Sequence, residues 1–245
     1  MVIPVKDFNP TRRRAYVTLL IIAINVGVYF LVQPHDDVIE ENLFAYEHAA
    51  IPCEVIEGEP ADVIELRSDC DVESEAPPAF PDKNVWLSIL YAMFLHGSLL
   101  HLGGNMLFLW IFGNNVEDYL GKIGYAIFYL FAGAVATGAH VLYEPSSVVP
   151  VVGASGAIAG VMGMYLVLWP RAKILSLVPF LFFVPLPIPA GLLLLVWFGM
   201  QFLTGDDSGI AWVAHVGGFV AGVGVGWMLK KVKPPPTREE IGQLT

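Results

Sequence analysis

The sequence predicts an all-α polytopic membrane protein, a bundle of six transmembrane helices with both the N- and C-termini cytoplasmic. Three observations carry that expectation. The chain is 56% hydrophobic and 15% charged over 245 residues, with a mean hydropathy of +0.62, far more apolar surface than one soluble core buries. Its apolar residues gather into segments near the roughly 20 residues that a bilayer core asks of a helix. Lysine and arginine divide unevenly between the intervening loops, which sets orientation.

Residues 1–14 read as a short basic cytoplasmic segment, and the membrane domain as 15–229. Ala15 to Val32 is the first span. No small-x-small cleavage site follows it, so it is expected to stay as an anchor. Asn84 to Val116 carries no charged side chain and is too long for one span. Its first half, "VWLSILYAMFLHGSLL", is expected at the interface, and its second half, from about His101, crosses. The remaining spans are Ile123 to Tyr143, Val152 to Trp169, roughly Ala190 to Thr204, and Ile210 to Leu229, with 230–245 a cytoplasmic tail. On this count the inner segments 1–14, 117–122, 170–189 and 230–245 hold 11 of the 13 lysines and arginines; only Arg67 and Lys83 fall outside.

The net charge of −10 comes mostly from the long exported loop 33–84, which holds fifteen of the 23 acids. Its charge and prolines suit a disordered spacer. It also holds both cysteines, Cys53 and Cys70. A disulfide between them would stabilise by about 3 kcal/mol in the chain-entropy model, and two unrelated thiols are the alternative. The sequence has no fixed-period repeat, no phosphate-cradling glycine loop and no basic patch suited to nucleic acid. The expected partners are the lipid bilayer and other membrane proteins.

Polar residues inside spans are costly and therefore functional candidates. They are Asn25, His101, Asn105, Thr137, His140, Ser155 and His215, with His96 just before the second span. No Asp, Glu, Lys or Arg lies deep in a helix, which disfavours an ion or proton transporter. Counting from the charge that ends each helix, His101, Ser155 and His215 stand 16, 16 and 15 residues above Glu117, Arg171 and Lys230. At 1.5 Å per residue all three lie about 22 to 24 Å above the inner boundary. His140 and His96 come out nearer the headgroups and read as interfacial or structural.

That shared level suggests roles. On its own, "VVGASGAIAG" (Val151 to Gly160) reads more simply as a packing stripe, since small residues four apart let membrane helices approach closely. A serine nucleophile needs a base, and His215 is the imidazole at its level on another helix. With no acid to orient it, the pair would be a Ser/His dyad. His101 and Asn105, at i and i+4, share one helix face and suit donation to a developing oxyanion together with the Ser155 amide; a helix-to-helix polar bridge is the alternative. Gly156 and Gly160 on the fourth span, and Gly218 and Gly222 on the sixth, would let those two helices meet and bring Ser155 to His215.

The motifs "HGSLLHLGGNMLFLWIFGN" (His96 to Asn114), "GASGAIAG" (Gly153 to Gly160) and "AHVGGFVAG" (Ala214 to Gly222), in that order on alternate helices, resemble the rhomboid intramembrane serine proteases. The resemblance covers about 85 to 230. It implies a six-helix bundle with a short central fourth helix, and a water-filled cavity open to the exterior. Ser155 would be the nucleophile, His215 the base, and His101 and Asn105 the oxyanion donors. It further implies cleavage in or beside a transmembrane segment of a substrate protein, with no metal or cofactor, and a cell membrane of prokaryotic type is expected. Two features depart from many relatives. Ala159 stands where an aromatic often stacks on the histidine, and the first loop lacks an adjacent tryptophan–arginine pair. A membrane-protein binding or chaperone relative without catalysis is the alternative reading, although such a protein would be expected to lack Ser155 or His215. The fifth segment, "PAGLLLLVWFGMQFLTG", with the loop "TGDDSG", is the expected gate.

Overall fold

The computed structural model describes residues 2–68, 70, 72, 74–179, 183–203 and 211–235. In chain order the elements are β1 (Ile3–Asp7), α1 (Tyr16–Leu31), α2 (Val38–His48), α3 (Pro52–Glu57), α4 (Val85–Ala92), α5 (Leu99–Leu120), α6 (Lys122–Tyr143), α7 (Ser155–Leu168), β2 (Lys173–Val178), β3 (Val184–Pro189), α8 (Ala190–Gln201) and α9 (Trp212–Val232). Helices α1 and α5 to α9 fall on the six expected apolar segments, and α4 on the expected interfacial stretch. By length and composition α6 and α9 are long and apolar enough to cross a membrane, while α1, α7 and α8 are shorter apolar helices. The "TGDDSG" loop, Ile210 and the tail beyond 235 lie outside the described residues.

The structure is mostly helical but not all-α, and this corrects the expected fold class. β1, β2 and β3 form one antiparallel sheet in that order. Ile3 pairs with Leu177 and Asp7 with Ile174, while Lys173 to Val178 pairs in unbroken register with Pro189 to Val184. The strands escaped a sequence reading because β1 finds its partner across almost the whole bundle, and a six-residue apolar run such as "KILSLV" carries no decisive period.

Around this sheet the four basic segments meet at one end of the molecule. Phe8 N donates to Lys173 O at 3.1 Å, and Arg12 pairs with Asp118 at 3.3 Å. Lys233 Nζ donates to Tyr119 O at 3.0 Å. The Tyr165 hydroxyl and the Asn115 amide both donate to Asp7 Oδ2 at 2.7 Å. α1 has no side-chain cap of its own. Instead buried Glu117 of α5 accepts from Val17 N, Thr18 N and the Thr18 hydroxyl at 2.9, 2.7 and 2.8 Å, a carboxylate at the positive end of a helix dipole.

At the opposite end the acidic loop is a folded cap rather than a spacer. Cys53 and Cys70 are disulfide-bonded. Ile51, Cys53 and Ala61 form a small core covered by Tyr46, Leu66 and Val148. Beneath it, Lys83 Nζ reaches Glu54 Oε2 at 2.5 Å, with both side chains buried, and donates to Tyr46 O at 2.6 Å. Burial pushes the Glu54 carboxyl above its ordinary range against the pull of Lys83, and pushes the Lys83 ammonium below its own. The cap is stitched to the segment entering α7: Cys53 N donates to Ser147 O and Val151 N to Ala50 O.

α7 is the central helix, buried from Gly156 to Tyr165 and packed on α5, α6 and α9. Its glycines make that packing possible. A Cβ on Gly222 would overlap the Gly160 carbonyl, one on Gly218 the Gly156 carbonyl, and one on Gly163 the Phe219 carbonyl. α7 and α9 therefore touch backbone to backbone, as two small-residue stripes allow.

Candidate active site

Ser155 is the first residue of α7, three residues later than the expected start of the span. The delay comes from Gly153, whose φ of 121° lies outside the helical region and is open to glycine at little cost. Its N–H is spent on Ala92 O at 2.8 Å. Helix hydrogen bonding begins with Ile158 N to Ala154 O, so the amides at the start of α7 are unused by the helix and available to an anion.

His215 sits one turn into α9, opposite Ser155. Its Nε2 lies 2.7 Å from Ser155 Oγ. Both residues are only partly buried by the surrounding protein. The glycine contacts set this distance: Gly156 follows Ser155 on α7, and Gly218 follows His215 by three on α9.

The structure gathers His101 and Asn105 beside Gly153, two residues ahead of Ser155. A Cβ on Gly153 would stand 2.8 Å from His101 Nε2 and 3.6 Å from Asn105 Nδ2; glycine is required here for space as well as for φ. α5 is fixed at this end by Ser98, whose hydroxyl accepts from His101 N at 3.1 Å, a side-chain N-cap.

His96 fits the structural rather than the interfacial of its two expected roles. It is 2% exposed, its Nε2 is 2.9 Å from Asn105 Nδ2, and its ring meets His101 edge to face at 5.1 Å. Its backbone is clasped by Gln33, which accepts from His96 N and donates to His96 O, both at 3.0 Å. His140 is likewise buried, on α6.

With Ala159 buried in α7, the support for His215 comes from α8. Trp197 lies against the imidazole, centroids 6.0 Å apart and planes at 39°, and Gln201 Oε1 lies 2.8 Å from Nδ1. Neither residue stood out in the sequence. Gln201 is a lone amide in "GLLLLVWFGMQF", and the rule that flags polar groups in apolar helices applies to it as well.

A serine hydroxyl bonded to an imidazole, at a helix start and beside clustered side-chain donors, is an arrangement for acyl transfer. The rhomboid domain model matches residues 83–232, a stretch that holds every one of these residues except Gln33. The chain belongs to the rhomboid family. It is 34% identical over 158 residues to "Rhomboid protein 1, mitochondrial" of Saccharomyces cerevisiae, covering 59% of this chain and 42% of that protein. It is 32% identical over 155 residues to "Rhomboid-like protein 11, chloroplastic" of Arabidopsis thaliana, covering 60% and 53%. "Rhomboid protease GluP" of Bacillus subtilis is 32% identical over 139 residues, covering 56% and 25%. This rhomboid thus spans about half or less of the length of these relatives, which are named for mitochondria, a chloroplast and a bacterial protease. β1 and the cap helices α2 and α3 lie outside the matched residues.

Proposed function

We propose that this rhomboid is an intramembrane serine endopeptidase that hydrolyses peptide bonds in or next to transmembrane segments of membrane proteins. The observation that supports it most is the 2.7 Å contact between Ser155 Oγ and His215 Nε2, made between two separate helices inside the family's domain. In this reading His215 takes the hydroxyl proton as Ser155 Oγ attacks the scissile carbonyl, then gives it to the leaving amine. Water, activated by the same imidazole, hydrolyses the acyl-enzyme. His101, Asn105 and the Ser155 amide donate to the oxyanion, each such donor being worth about 3 to 4 kcal/mol in the transition state. Gly153, Gly156, Gly160, Gly218 and Gly222 keep the dyad in reach.

In the same reading α1 and α5 to α9 are six spans of a membrane domain at 15–229, with both termini cytoplasmic and the 33–84 cap exported. The basic segments gathered around the sheet support this orientation, since cytoplasmic loops concentrate lysine and arginine. The host is a plasma membrane of prokaryotic type. Substrates carry helix-weakening glycine or proline near the cleaved bond, because an intact helix hides its carbonyls.

The test is cleavage of a single-span model substrate by purified protein, together with labelling by a fluorophosphonate. Wild type should cleave and take the label on Ser155, and Ser155→Ala should do neither. Equal cleavage by both proteins would overturn the proposal.

A further inference from the structure

The hydrogen bonds around His215 leave one arrangement of protons. Gln201 donates through Nε2 to the carbonyl of Trp197, one turn earlier on α8, at 3.1 Å. That bond occupies the amide's donor end and turns Oε1 toward the imidazole, 2.8 Å from Nδ1. A carbonyl oxygen accepts only, and a neutral imidazole carries one proton, so Nδ1 holds the proton and Nε2 presents its lone pair to the Ser155 hydroxyl. Had the other tautomer been favoured, Nε2–H would face the serine and no base would be available.

We infer that Gln201 is a positioning residue of the reaction, which selects the working tautomer of His215 and aims its ring, and so stands where a triad would place a carboxylate. The inference rests on the reading of Ser155 and His215 as nucleophile and base. Three details support a built role. Gln201 is 8% exposed. Trp197, whose carbonyl sets the amide, also packs its indole on the same imidazole. α8 is seated on α9 independently, by Phe198 stacked on Phe219 at 4.6 Å, which fixes the height of Gln201. A neutral amide does the orienting without burying a charge, which would be expensive at this depth. The base is thus held by α8, a helix separate from the one that carries the nucleophile.

The titratable groups acting on His215 among the described residues are His101 on α5 and His140 on α6. Among the described residues, a carboxylate at position 201 would therefore be the first acid acting on the ring. The experiment compares Gln201→Met, which keeps the length but replaces the amide oxygen with a weakly accepting thioether, with Gln201→Glu, which keeps the oxygen and adds a charge.

For Gln201→Met, kcat should fall on the order of tenfold to a hundredfold, with KM within about twofold and fluorophosphonate labelling of Ser155 slowed in step. Gln201→Glu should keep kcat within a few-fold of wild type. Its acid limb in the kcat/KM profile should move to higher pH, because a carboxylate against Nδ1 favours the imidazolium. Wild-type kcat and pH profile in Gln201→Met would overturn the inference. So would equal losses in both variants with an unmoved profile, since Gln201 would then only fill space. The Gln201→Glu profile decides the matter should Gln201→Met fail to fold. An active Ser155→Ala would instead remove the nucleophile reading itself, so the two failures are distinguishable.

Discussion

Asn105 Nδ2 stands 2.9 Å from Nε2 of buried His96, so one of the two amide protons proposed for the oxyanion site is already spent on a histidine. That bond fixes the amide plane and leaves the second proton a defined direction. Asn105→Ala should lower kcat by about 10²-fold to 10³-fold. His96→Ala should lower it less, and the double variant should be no worse than Asn105→Ala alone, because His96 acts through Asn105. Steady-state kinetics on the four proteins gives the coupling, and additive losses would separate the two roles.

The glycine contacts predict a sharp positional contrast. A methyl at Gly222 collides with the Gly160 carbonyl, whereas one at Gly224 meets nothing within 4 Å. Gly222→Ala should destabilise by about 1 to 3 kcal/mol through overpacking and reduce cleavage by pushing Ser155 from His215. Gly224→Ala should leave both unchanged. Thermal unfolding in detergent with a parallel cleavage assay reads the difference.

The buried pair in the cap responds to pH in a direction that can be derived. Glu54 has its folded-state value raised above the ordinary 4.5, so the fold holds that proton more tightly than the unfolded chain does. Its contribution to stability therefore falls as pH rises through the carboxylate range and recovers on acidification. Lys83→Met strands the carboxylate and should cost about 3 to 5 kcal/mol at neutral pH, with a smaller loss at acidic pH, where Glu54 is protonated. Adding Glu54→Gln should restore most of the stability at neutral pH. Melting temperatures of the three variants at the two pH values check this.

Closing the 17-residue separation between Cys53 and Cys70 should stabilise the cap by about 3 kcal/mol. Reductant, or Cys53→Ala with Cys70→Ala, should lower the melting temperature. Cleavage should fall with it, because Cys53 N holds Ser147 O and Ala50 O holds Val151 N on the segment leading into Ser155. Cleavage that survives complete reduction would place the cap outside the reaction.

The long helices were legible because a bilayer demands length and hydrophobicity that few other structures need; His101, Ser155 and His215 stood out as expensive polar groups at one height, and Asn105 as the polar residue one turn on from His101. What escaped depends on contacts between distant parts of the chain. The acidic loop left a spacer and a Cys53–Cys70 disulfide both open; the disulfide is formed, while the buried Ile51 and the Glu54–Lys83 pair that complete the fold of the cap gave no local signal. Gln201 was hidden by its place at the end of α8, where an amide passes for a boundary residue. His96 was placed near the headgroups by counting rise along one helix, a measure that says nothing about the Gln33 side chain arriving from the end of α1.

The sheet has a bearing on how the molecule is made. Because Ile3 pairs with Leu177, the first strand leaves the ribosome long before its partner exists, and it stays open while α1 through α7 are threaded into place. The opening residues are thus among the last to be locked, and the pairing of β1 with β2 closes the bundle late in synthesis.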